Sequence, residues 1–187
     1  TVTQCWSTAG VTGDWDAGGL IGRCACGTLE RCTAAGIVRG GEGVGGLIGG
    51  CSGWSDAAEE ELGFLVTECQ ATSTVAGLCS VGGLIGYGNM GTLELCLAGG
   101  PVSGEESVGG LIGYGGSVTL VLCSAAGAVT GNGSVGGLVG CGESSSVLQC
   151  LAAGAVTDGY SVGGLIGTNS GWYDDWDLVA LYYTRDA

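Results

Sequence analysis

The chain has 187 residues with 18 acidic and 4 basic side chains, a net charge of -14, no lysine and no histidine. So little positive charge argues against nucleic acid or an anionic membrane surface as a partner, because both are held by basic side chains that neutralise phosphates. No run of about 18 apolar residues occurs, so no membrane insertion is expected, and the 43 glycines disfavour helical architecture at roughly 1 kcal/mol for each helix-interior glycine.

The sequence repeats. Val-Gly-Gly-Leu-Ile-Gly is complete at Val44–Gly49, Val81–Gly86, Val108–Gly113 and Val162–Gly167, with near copies at Ala17–Gly22 and Val135–Gly140. Gly18, Gly45, Gly82, Gly109, Gly136 and Gly163 each follow a cysteine by 13 residues, namely Cys5, Cys32, Cys69, Cys96, Cys123 and Cys150. Successive cysteines lie 27 residues apart, except for a step of 37 between Cys32 and Cys69, so one repeat carries a 10-residue insertion. A fixed period in this range marks a solenoid, propeller or array. Short apolar runs bounded by Gly, Ser, Thr and Asn, without a 3.6-residue stripe, select β-strands. The reading is an all-β fold, a single parallel β-solenoid domain over 1–187, with six full rungs, a partial seventh and two corner insertions.

Rung one spans Thr1 to about Gly27 and turns at Asp14-Trp15-Asp16. Rung two starts at Thr28 and ends in the insertion, Cys51 to Leu65, where Asp56 to Leu62 is the one stretch predicted helical, with acids in its first turn. Rungs three to six are regular. After Gly167 a second insertion, Thr168 to Asp177, leads into Leu178 to Thr184, which reads as the start of a seventh rung with Val179 at the aliphatic position and Tyr182 at the cysteine position. The chain starts inside a repeat without an initiator Met, as expected of processed or excised material. Stacking identical positions about 4.8 Å apart turns each into a ladder. The cysteines, the valines Val11, Val38, Val75, Val102, Val129 and Val156, and Leu20, Leu47, Leu84, Leu111, Leu138 and Leu165 are predicted to point inward. Strict alternation would put each Leu and its adjoining Ile on opposite faces, whereas a turn at the glycine pair would not. The sequence leaves both open, and outward leucines would form an apolar stripe for lateral association.

The block resembles the GLUG motif, named for Gly-Leu-hydrophobic-Gly, here Gly19-Leu20-Ile21-Gly22 and its five successors. The likeness extends to the cysteine followed by small residues, Gly and Val, as in Cys123 to Val129, and covers nearly the whole chain. Proteins with such repeats look like bacterial and archaeal surface proteins, including adhesins and regions beside secreted peptidases. The resemblance implies an extracellular or cell-surface setting and a β-helical fold, and it transfers no catalytic residue.

Candidate sites follow from side-chain chemistry. Cys24 and Cys51 each lie 19 residues after their rung cysteine, so they are stacked neighbours predicted to form a disulfide, with the main cysteine ladder mostly reduced and buried. Eleven cysteines fit an oxidising compartment, and the lone close pair Cys24-Ala25-Cys26 without histidine is a poor zinc site. Both insertions contain Ser-Gly-Trp, so Trp54, Trp172, Tyr173 and Trp176 form either a ligand patch for glycans or other cell-surface proteins, or aromatic caps over a corner. Asp174, Asp175 and Asp177 with Asn169 are the calcium candidates, although their spacing matches no EF-hand or nonapeptide loop. Asp14 with Asp16, Glu105 with Glu106, and Asp174, Asp175 and Asp177 are the acids that glycoside hydrolysis would draw on, yet no His, Lys or paired Arg accompanies them. The threonine column Thr1, Thr28, Thr92 and Thr119 is broken by Leu65, against an ice-binding face. Asn132-Gly133-Ser134 is a glycosylation sequon and also an ordinary Asn-Gly turn.

The expected function is a non-enzymatic, extracellular structural or adhesive protein without a cofactor. It stacks end to end through Thr1, Val2 and Thr3 against Val179, Leu181 and Tyr182, or it is part of the stalk of a longer adhesin. The alternative is a carbohydrate-active or carbohydrate-binding β-helix that uses the acidic, Trp-bearing insertions.

Overall fold

A computed structural model describes residues 1–55 and 60–171. Among these residues every element is a strand, and the strands stack in parallel into about six turns of a β-solenoid. The pairing register follows the sequence period: Val2 pairs Leu29, Leu29 pairs Val66, Val66 pairs Leu93, Leu93 pairs Leu120 and Leu120 pairs Val147. One sheet collects the strand before each rung cysteine together with the strand after each glycine block. A second is built from two-residue strands such as Thr33–Ala34 and Leu97–Ala98, and a third runs from the valine position to the block.

The corner before each rung cysteine is made without glycine. Gln4, Arg31, Glu68, Leu95, Leu122 and Gln149 all have φ between 52 and 54°, a left-handed conformation that costs an L-residue roughly 1–2 kcal/mol. The stack holds the first five there, because each N–H donates to a carbonyl of the next rung: Gln4 to Glu30, Arg31 to Thr67, Glu68 to Glu94, Leu95 to Val121 and Leu122 to Leu148. A bent backbone donor that would otherwise be unsatisfied thus becomes a rung-to-rung hydrogen bond.

Both open possibilities at the glycine block are resolved inward. Leu47, Leu84, Leu111 and Leu138 are fully buried, and so are Ile48, Ile85, Ile112 and Val139. The chain turns between the glycine pair and the Ile, where Leu47 and Ile48 both donate to the Leu84 carbonyl. The outward apolar stripe is therefore absent at these rungs. Space explains the glycines: a Cβ on Gly45 would overlap the Ile48 carbonyl, one on Gly46 the Gly83 carbonyl, and one on Gly49 the backbone of Asp16. This backbone-on-backbone contact divides the interior. On one side Leu, Ile, Cys and Ala form the larger apolar cluster; on the other stands a cluster of valines, Val38, Val44, Val75, Val81, Val102, Val108, Val129 and Val135, with Ala17. The ladders loosen at the ends: Cys5 is exposed, and Val11, Leu20, Cys150, Val156 and Leu165 are only half-buried.

The insertion corrects the helix expected over Asp56 to Leu62. Residues 56–59 lie outside the described residues, but Glu60–Glu61 is a short strand antiparallel to Trp54–Ser55, with Glu60 opposite Ser55 and Glu61 opposite Trp54. Leu62 and Gly63 both donate to the Gly53 carbonyl and close the base. The glutamates favour a helix only as an isolated segment, and here cross-strand pairing prevails.

Candidate functional site

The outer face of the first sheet carries the chemistry that the solenoid can present. Along Ile85–Glu94, Ile85 and Leu93 are buried and Tyr87 and Glu94 face solvent, with Asn89 and Thr92 half-buried between them. One rung on, Ile112–Val121 repeats this with Tyr114 and Thr119. Tyr87 and Tyr114 are register partners, and their rings stack with centroids 5.2 Å apart and planes 3° from parallel. The Asn89 side chain lies over Gly116, where a Cβ would crowd its Oδ1 at 2.7 Å. Burial, then a hydrogen bond to the Glu143 carboxylate, hold the Tyr114 hydroxyl protonated well above its usual pKa. An aromatic stack, an amide and a carboxylate thus share one strip, beside an open groove bordered by Thr28, Met90, Thr92, Ser117 and Thr119. Glu94 is the one acid among the described residues that line the groove.

Sequence reasoning overlooked the tyrosines. Part of the signal was present, since Tyr87 and Tyr114 are one period apart and therefore stack; their outward direction was not, because strict alternation two residues after a buried Ile points inward.

The predicted disulfide is in place: Cys24 and Cys51 are bonded, with Cα atoms 4.7 Å apart. It is internal, for Cys51 is only 1% exposed and packs in the larger core just before the hairpin. The same column holds Gly88 and Gly115 in later rungs, where Phe64 and Val118 fill the vacated space. Cys32, Cys69, Cys96 and Cys123 are buried free thiols.

The other candidates are dispersed. Trp54, at the hairpin, is 41% exposed, whereas Trp172, Tyr173 and Trp176 lie outside the described residues. So do Asp174, Asp175 and Asp177; Asn169 sits in the strand Ile166–Ser170, opposite Gly142. Asp16 pairs with Arg23 at 3.3 Å while Asp14 is exposed, and Glu105 and Glu106 are both exposed at one edge of the valine lobe. Among the described residues no group of three His, Cys, Asp or Glu side chains is placed to hold a metal ion. Asn132 is exposed, and its N–H donates to the Glu105 carbonyl at 3.0 Å. Val2 and Thr3 pair with Leu29 and Glu30 on one side and have no strand on the other among the described residues; Thr1 is exposed, and Val179, Leu181 and Tyr182 lie outside them.

This architecture defines the class, a parallel β-solenoid. A crystal structure of a candidate immunoglobulin A1 protease from Bacteroides ovatus is similar, with a TM-score of 0.55 and 20% sequence identity over 85% of this chain and 56% of that one. The chain thus spans little more than half the length of that protein, and at this identity the likeness shows the fold alone. No family model and no curated protein matches the chain, so the GLUG resemblance stands on its residues.

Proposed function

We propose that the chain is an extracellular, non-catalytic β-solenoid with a structural or adhesive role. The observation that carries this reading is the dispersal of the carboxylates: among the described residues the groove on the first sheet is bordered by a single acid, Glu94, with no acid pair of the kind glycoside hydrolysis needs. The internal Cys24–Cys51 disulfide supports an oxidising compartment. The same reading includes head-to-tail stacking. Gln4 N–H is spent on the Glu30 carbonyl, so alternation leaves the Thr3 N–H on the open side of rung one, where a strand carrying Val179, Leu181 and Tyr182 would dock. Purified chain is expected to form fibres by electron microscopy, and Thr3→Pro to abolish them without unfolding rungs three to six. Wild-type chain that stays monomeric at high concentration rejects stacking, and cleavage of immunoglobulin A1 or of polysaccharide by the chain rejects the non-catalytic reading. No cofactor is invoked. A melting temperature raised by calcium would give Asn169, Asp174, Asp175 and Asp177 the role this reading withholds.

The Tyr87–Tyr114 stack favours a second reading, carbohydrate binding, because parallel rings flanked by Asn89 and Glu143 offer apolar faces and hydrogen-bonding groups together. On a glycan array, binding by the wild type that is lost in Tyr87→Ala supports it. Absence of binding by the folded wild type removes it.

A further inference from the structure

We propose that Cys123 and Cys150, two free thiols of the main ladder, are the site of a second inter-rung disulfide that forms when the native protein meets a small-molecule disulfide. The two residues are stacked in register, since Val121 pairs Leu148 before them and Ser124 pairs Leu151 after them. Their Cα atoms are therefore about one strand spacing apart, about 4.8 Å, within the range a disulfide spans. The chain supplies its own precedent: Cys24 and Cys51 are register partners on the same kind of ladder, and they are bonded. The Cys150 sulfur already leans on its neighbour, accepting the Cys123 N–H at 3.3 Å.

Access singles out this pair. Cys32 and Cys69 have the same contact, Cys32 N–H to the Cys69 sulfur at 3.3 Å, but they are 0% and 1% exposed, closed to any reagent. Cys150 is half-buried, while Cys123 behind it is 1% exposed. Cys5 is exposed at the other end of the ladder, but its N–H makes no contact with the Cys32 sulfur like that of Cys123 with Cys150; the sulfurs of Cys5, Cys32, Cys123 and Cys150 alike turn to the carbonyl two residues back. Among the described residues the ladder therefore offers one step that combines this contact with access, at its rung-six end.

The chemistry is thiol–disulfide exchange. The Cys150 thiolate attacks one sulfur of the small disulfide, breaking its S–S bond, releasing one thiolate and leaving a mixed disulfide on Cys150. Cys123 then loses its proton to solvent and attacks the Cys150 sulfur, releasing the second thiolate. Two protein thiols are oxidised to one disulfide, and the small disulfide is reduced to two thiols. The contact with Cys123, and then burial, keep the Cys150 thiol protonated far above its usual pKa, so closure is slow at neutral pH and quickens as the pH rises. The product joins rung five to rung six as Cys24–Cys51 joins rung one to rung two.

The test uses the whole chain, folded, treated with glutathione disulfide at pH 8.5, quenched in acid, then alkylated in denaturant and mapped by mass spectrometry. Expected are a peptide pair linked through Cys123 and Cys150, alkylated Cys32 and Cys69, and a higher melting temperature for the oxidised form. Cys123→Ser should arrest the reaction at a stable glutathione adduct on Cys150, with circular dichroism confirming the fold. The linked peptide of the wild type stands as a readout whether or not that variant folds. Cys123 and Cys150 both alkylated after treatment, an adduct on Cys150 that never resolves in the wild type, or closure at Cys32–Cys69 or Cys5–Cys32 instead would each overturn the proposal.

Discussion

The Cα of Gly82 lies against the carbonyl oxygen of Ile85, so close that a Cβ on Gly82 would overlap that oxygen and crowd the Gly113 nitrogen at 2.7 Å. This is the fold of the glycine block in one contact, and backbone cannot yield as a side-chain tip can. Gly82→Ala is therefore expected to destabilise by at least about 2 kcal/mol, while Gly99→Ala, whose Cβ would meet nothing nearer than Thr72 Cγ2 at 3.7 Å, should be nearly neutral. Urea unfolding of the two variants checks this, and equal midpoints would refute the packing account.

The leucine ladder should behave as core. Leu111 is fully buried between Leu84 and Leu138, themselves fully buried, so Leu111→Ala should cost about 2–5 kcal/mol. Leu97→Ala removes a side chain that is 39% exposed on the second sheet and should cost much less. Thermal melts rank the pair, and a smaller loss at Leu111 would contradict the inward assignment.

The internal disulfide is expected to hold the root of the hairpin. Cys24 and Cys51 are 27 residues apart, and closing such a loop stabilises by about 3 kcal/mol. Cys51→Ser should lower the melting temperature and speed proteolysis between Gly53 and Gly63, with later rungs cleaved more slowly. Limited proteolysis with peptide mapping measures this; an unchanged rate at the hairpin would dissociate the two features.

Alkaline pH should weaken the fold. Burial, first among the causes, raises the Cys69 thiol to about 11 from its ordinary 9.0. The folded pKa exceeds the unfolded one, so the contribution is fully present below pH 9.0 and is lost as the pH climbs from 9.0 to about 11. The urea midpoint should hold from pH 7 to 8.5 and fall by pH 10.5, with a shallower fall in Cys69→Ala. A midpoint that stays flat across this range would contradict the prediction.

Much of the architecture could be read from residue spacing. In a parallel in-register stack, equal positions lie on top of one another, so the period of 27, its single step of 37 and the places of Cys24 and Cys51 translate directly into ladders and a disulfide. The tyrosine stack obeys the same rule, Tyr87 and Tyr114 being one period apart.

Other features lay beyond one-dimensional pattern. Glu60 and Glu61 suit a helix by local propensity, yet they pair with Trp54–Ser55, because an insertion whose ends are clamped at Gly53 and Gly63 gains more from cross-strand bonds.

By itself, the sequence determined the rung: its period, its inward cysteines and valines, and which residues stack on which, since identical neighbours in a parallel ladder leave no other register that buries the same face. Only the tertiary structure decided how each rung bends. The left-handed corner at Gln4, Arg31, Glu68, Leu95, Leu122 and Gln149 has no glycine to announce it, and it exists because the following rung accepts its N–H wherever a following rung is described. The inward turn of both Leu and Ile likewise depends on glycine backbones touching across rungs, a contact that no single repeat can make.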